Sequence, residues 1–162
     1  MSVAAVSFEE LLDDFDLTAA KWRGFFAANP AAAEVPTDIA GSGTVAGLVC
    51  HIYVAAMRIS ERLEGDPVTE FGATKNLDAA WELQSKASGK LREFLDEADD
   101  AVLDQLRRLK LRTAELSVTR RKLCLHIFVH SIRHWAQIGP LVRQNGFPVG
   151  FPQDILFSEA IE

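Results

Sequence analysis

Cysteine is scarce in this sequence, and neither of its two cysteines, Cys50 and Cys124, belongs to a C-x-x-C pair. That excludes a disulfide-stapled scaffold and a cysteine-based zinc knuckle as organising principles. Both residues lie in apolar segments, where buried free thiols in a reducing cytosol are expected; a disulfide between them is the open alternative. Long uncharged apolar runs are absent too, so no membrane-spanning helix is expected. The first eight residues carry no basic stretch followed by an apolar one, so no secretory leader is expected, and the expected location is cytoplasmic. Glycine and proline are too few for a fibrous or low-complexity chain.

Positive charge is in deficit. Seventeen Lys and Arg stand against 23 Asp and Glu, a formal net charge of -6. An acidic chain grips a phosphate backbone poorly without a concentrated basic patch, and no nucleic-acid partner is expected. One basic cluster exists, formed by Arg107, Arg108, Lys110, Arg112, Arg120, Arg121 and Lys122. An acidic run of Asp96, Glu97, Asp99 and Asp100 lies just upstream, and the two are expected to offset each other as solvated segments.

What is present suits a globular fold. A length of 162 residues with 48% hydrophobic content can bury one full core, so a single domain over residues 1–162 is expected. A first helix begins at Ser7, where Ser7 and Glu10 are placed as a capping box. Phe8, Leu11, Leu12, Phe15, Ala19, Trp22, Phe25 and Phe26 then recur at helical spacing until Asn29-Pro30 ends the run. A second helix runs from Thr44 to Leu63, and Gly65-Asp66-Pro67 closes it. A third starts at the N-cap Asn76 and carries Leu77, Trp81, Leu91, Phe94 and Leu95. Residues 99 to 109 suggest a short connecting helix. The fourth and longest helix is expected from Ala114 to Gln144, bent by Pro140 and stopped by Gly146. The tail from Phe147 to Glu162, apolar at Phe147, Val149, Phe151, Ile155, Leu156 and Phe157, is expected to pack back. No segment alternates clearly enough to predict a strand. The fold class is therefore all-α: a four-helix bundle with crossover loops and a packed C-terminal tail.

The four histidines carry the chemistry. His126, His130 and His134 follow one another at i, i+4 and i+8, forming one ridge of the fourth helix. In heptad register His130 shares a seam with Leu116 and Leu123, and His134 shares the other with Arg120, Ile127 and Leu141. Two imidazoles one turn apart that face a core form a common basis for a metal site, and His51 on the apolar side of the second helix is placed to add a third. His126 falls beside the seam. Buried imidazoles need polar partners, which makes packing alone a poor reason for keeping them.

The stretch from His126 to Gly146 reads H-I-F-V-H-S-I-R-H-W-A-Q-I-G-P-L-V-R-Q-N-G. It resembles the signature helix of the DinB/YfiT-like family, H-x-x-x-H-x-x-H-H-x-G-Q followed by a leucine-arginine pair and a glycine. His126, His130, His134 and Gln137 match, and Arg143 and Gly146 follow at suitable spacing. Leu48-Val49-Cys50-His51-Ile52 is similar to the context of that family's early metal histidine. The resemblance implies a divalent metal ion on His51, His130 and His134, with His126 in a supporting or structural role; imidazole suits zinc, nickel, copper and iron alike, and zinc or nickel is expected. Arg133, Trp135 and Ala136 depart from the pattern, and none is a proposed ligand.

The resemblance also implies an activity: metal-dependent S-transfer to a small-molecule substrate from a low-molecular-weight thiol activated at the site, with an activated water and hydrolysis as the alternative, by a protein that is a homodimer. No catalytic acid or base stands out. Tyr53, two residues past His51, is expected to point elsewhere. Arg120 and Arg133 are the basic residues considered for a carboxylate of the thiol, with surface roles the simpler reading. A reading of a different class is a non-catalytic dimeric binding or stress-response module with a structural metal, in which His126 closes the coordination.

Overall fold

The computed structural model describes residues 5–72, 75–110 and 114–161. The first helix, α1 (Phe8–Ala28), opens on the expected capping box: Glu10 N donates to Ser7 Oγ at 3.1 Å, and Ser7 N donates to the Glu10 carboxylate at 2.7 Å. A 3-10 turn (Pro30–Glu34) and a two-residue antiparallel pair, β1 (Pro36–Thr37) with β2 (Gly43–Thr44), lead into α2 (Val45–Glu64). Thr44 caps α2 through Gly47 N at 3.2 Å, and Gly65 ends it in the left-handed region that glycine enters without strain. Asn76 caps α3 (Leu77–Glu97). A single turn, α4 (Asp100–Leu103), and a hairpin of β3 (Leu106–Lys110) and β4 (Glu115–Thr119) precede α5 (Arg120–Gln144).

The four long helices pack in the cyclic order α1, α3, α2, α5. Their directions follow from residue pairs. Phe8 and Phe15 meet Phe128, while Trp22 stacks on Trp135, so α1 and α5 run parallel. Asp16 bonds Ser88 and Asp13 bonds Arg92, whereas Phe26 lies against Trp81, so α1 and α3 run antiparallel. Cys50 reaches Asn76 and Ser60 reaches Ala87, so α2 and α3 run parallel. The bundle is thus up-down-down-up. Both long loops cross it: residues 29–44 span the diagonal at one end, and residues 65–72 return along the length of α2. Thr69 bonds the buried Glu61 on that return, and Lys75 Nζ donates to Gly41 O and Ser42 O.

Aromatic side chains fill the centre. Trp22 and Trp135 stack with centroids 4.8 Å apart, and Tyr53, with no measurable exposure, contacts Phe15, Trp81 and Trp135. Large flat rings supply much apolar area per residue, which is the main driving term for a domain of this size.

Four expectations are corrected. The fourth helix begins at Arg120, because residues 106–110 and 115–119 pair as a hairpin. The connecting helix stops at Leu103. Leu116, placed on the helical seam by heptad spacing, sits in β4 and is 44% exposed. In the tail, Phe147, Val149 and Phe151 pack on the core as expected, with Phe151 edge-on to Trp22, but Ile155, Leu156 and Phe157 are exposed. Arg112 lies outside the described residues. Of the rest of the basic cluster, Arg121 is held by Asp100 and Asp104 at 2.9 Å each, as offsetting charges would be.

Candidate metal centre

Helix α2 is apolar almost all round and is buried accordingly. From Val45 to Leu63 every residue is buried except His51, Val54, Ala55, Arg58 and Arg62, which are half-buried. At 3.6 residues per turn these five share one face. The helix therefore opens to the surface along a single stripe, and His51 is at its start.

On α5 the histidine ridge meets that stripe. His134 is 8% exposed, His130 is half-buried and His126 is exposed. Ring centroids of His51 lie 5.0 Å from His130 and 4.9 Å from His134, and those of His130 and His134 are 4.5 Å apart. One ring nitrogen from each of His51, His130 and His134 falls within 4.8 Å of the others. Nitrogens on one ion at 2.0–2.1 Å in tetrahedral geometry sit about 3.4 Å apart, so side-chain shifts of roughly an ångström close the trio. Among the described residues no cysteine or carboxylate joins the group. His126 stacks obliquely near His130, 5.4 Å between centroids, and stays outside it.

The electrostatics suit neutral imidazoles. Burial, the nearby His134 and Arg58 lower the pKa of His51. Burial, with help from the other three histidines and Arg133, pushes His130 down to about 3. A neutral ring keeps the lone pair that a metal needs, so proton competition at neutral pH is weak. His134 Nδ1 donates to Gln137 Oε1 at 2.7 Å, which fixes the ring and leaves Nε2 as its free lone pair. These three side chains could hold a divalent ion, and nothing in the donor set closes its remaining positions.

The DinB family model matches residues 1–157. The chain belongs to the DinB family. Searches of curated proteins and of solved structures gave no match.

Within this DinB-family bundle the remaining candidates stand outside the three-histidine group. Tyr53 points into the core, its hydroxyl without a hydrogen-bond partner among the described residues and its pKa raised by burial. The thiols are unsuited to attack: burial raises Cys50, which donates to Asn76 O at 3.1 Å, and pushes Cys124 up to about 12. They are free and buried, as expected. Arg120 lies over the Phe94 ring at 5.6 Å, ten residues before His130. Arg133 is exposed beside the cluster. The residue that sequence reasoning missed is Arg58. The signal was available, since no other Lys, Arg, Asp or Glu occurs between Val45 and Ser60.

Proposed function

We propose that this protein binds one divalent metal ion through His51, His130 and His134 and uses it to transfer a low-molecular-weight thiol to a small electrophilic substrate. The observation that carries the reading is the convergence of three imidazoles from two facing helices with no fourth protein donor among the described residues. Sites with three protein ligands and an open position are the catalytic pattern, whereas structural sites are closed by four. A divalent ion held there lowers the pKa of a thiol or water placed beside it.

The chain's own residues do the rest. Gln137 holds the His134 ring in one tautomer. The low pKa of His130 keeps its ring unprotonated. The half-buried stripe of α2 gives a small molecule access to the cluster. Imidazole nitrogens favour zinc or nickel over magnesium or calcium, which prefer oxygen. We further infer a homodimer, a cytoplasmic setting and one bundle domain over the whole chain. Among the described residues no helix is long and apolar enough to cross a membrane.

The test is elemental analysis of protein purified without a histidine tag or a metal-affinity column. About one zinc or nickel per chain is expected, and the same preparation is then screened for thiol consumption with electrophiles. Protein that carries no metal and takes up none on addition overturns the proposal.

A further inference from the structure

We propose that Arg58 binds a carboxylate of the small molecule that enters the open position beside His51, so that this site selects an anionic ligand. The inference rests on the metal-binding reading and goes beyond it by naming the ligand's charge and the residue that reads it.

Placement is the first argument. Arg58 is seven residues after His51 on the one stripe of α2 that is not fully buried, with only Val54 and Ala55 between them on that face. Those small side chains form a low apolar floor. Two turns of helix separate the Cα atoms by about 10.5 Å along the axis, and helical side chains tilt toward the N-terminus. Arg58 therefore extends back toward His51, leaving a span that a ligand of a few carbons bridges.

The second argument is that, among the described residues, Arg58 has no counter-ion. The carboxylates that form ion pairs are taken by Lys90, Arg92 and Arg121. Arg58 Nε is shielded from solvent and has no hydrogen-bond partner among the described residues, while its guanidinium lies 5.7 Å from the centre of the Phe71 ring. A buried donor without a partner is uncommon in folded proteins and points to a missing acceptor. The ring face attracts the cation, and the planar fork of N–H donors on a guanidinium matches the two oxygens of a carboxylate.

The surroundings agree. On the facing α5 the charged or titratable neighbours of the cluster are His126, His130, Arg133 and His134, and the charges that act on His51 and His130 are all cationic. No carboxylate is among them. A cleft lined by one sign of charge draws in the opposite sign.

The experiment uses cobalt(II)-loaded protein, whose visible absorption reports metal uptake independently of any ligand. 3-Mercaptopropionate and 2-mercaptoethanol are titrated in turn, each corrected for its own thiol pKa, and followed by the sulfur-to-cobalt charge-transfer band. The wild-type protein is expected to bind 3-mercaptopropionate at least about tenfold more tightly, the worth of one charge-assisted hydrogen bond. Arg58→Gln is expected to take up cobalt normally, keep its helical circular dichroism and lose the preference; Arg58→Lys recovers part of it. Cobalt uptake without a preference in the wild type, or a preference that survives Arg58→Gln, overturns the inference and leaves the metal reading standing. Failure of the wild type to take up cobalt overturns both.

Discussion

His134 Nδ1 donates to Gln137 Oε1 at 2.7 Å, one turn further along α5. A glutamine at this spacing performs the task that a carboxylate or carbonyl performs in many metal sites: it fixes which ring nitrogen carries the proton and how the ring is turned. Gln137 is exposed and contributes little to packing, so its removal should leave the fold intact. Gln137→Ala is expected to weaken zinc binding by about 10- to 100-fold. Competition against a chromophoric chelator measures this, and an unchanged affinity would show that the bond does not orient His134.

The start of α2 depends on a glycine. A Cβ on Gly47 would lie 2.2 Å from the backbone oxygen of Ser42, which has no easy way to move. Gly47→Ala is expected to cost roughly 1–3 kcal/mol as overpacking. Gly89, exposed in the middle of α3, meets nothing within 4 Å, and its backbone is helical. Gly89→Ala is therefore expected to stabilise by up to about 1 kcal/mol, raising the Tm by about 2–4 °C. Thermal melts of the two variants should move in opposite directions, and a shared sign would contradict this account of the α2 start.

Most of the bundle was legible because its signals are local and agree with one another. Ser7, Thr44 and Asn76 each cap the helix that follows them, and Gly65 and Gly146 both adopt positive φ at helix ends. The hairpin was illegible for a physical reason. Along β3 only Leu109 is buried, and Arg107, Arg108 and Lys110 place charge on both faces, so no clean alternation shows. β4 leaves Leu116 exposed, and its spacing to Leu123 imitates a heptad. Thr119, whose side chain accepts from Lys122 N at 3.1 Å, marks the true start of α5 and was the cue to weigh against that spacing. For the site, the grouping of His51, His130 and His134 was readable from periodicity and family likeness. The lone charge of Arg58 on an apolar helix was visible too, but not that its stripe stays open, which depends on which face of α2 its neighbours cover.

His130 and His126 differ by one turn and by burial, and the site should tell them apart. His130 is half-buried within the trio, while His126 is exposed and 5.4 Å from it, centroid to centroid. His130→Ala is expected to reduce zinc affinity by more than the roughly 100-fold that loss of an outer hydrogen-bonding partner can cost. His126→Ala is expected to change it little. Isothermal titration of both variants decides the matter, and equal losses would mean that His126 is a ligand.

Acid should destabilise the metal-free protein through these same rings. Folding lowers the pKa of His51 below the ordinary 6.5 and takes His130 down to about 3. Below pH 6.5 the unfolded chain therefore binds more protons than the folded one, and stability must fall as pH falls. The contribution is fully present above about 6.5 and is lost progressively as pH drops toward the folded value of His130. Carboxylates that titrate in the lower part of this range contribute to wild type and variant alike, so the informative quantity is the difference between them. His130→Gln removes one depressed imidazole without adding charge. Its Tm should decline less steeply than that of the wild type between pH 7 and pH 5, and parallel declines would show that His130 is not held neutral by the fold. Saturating zinc should stabilise the wild type across this range, because a ligand that binds only the folded chain shifts the equilibrium by mass action. The gain should shrink only where protons begin to displace zinc from the rings.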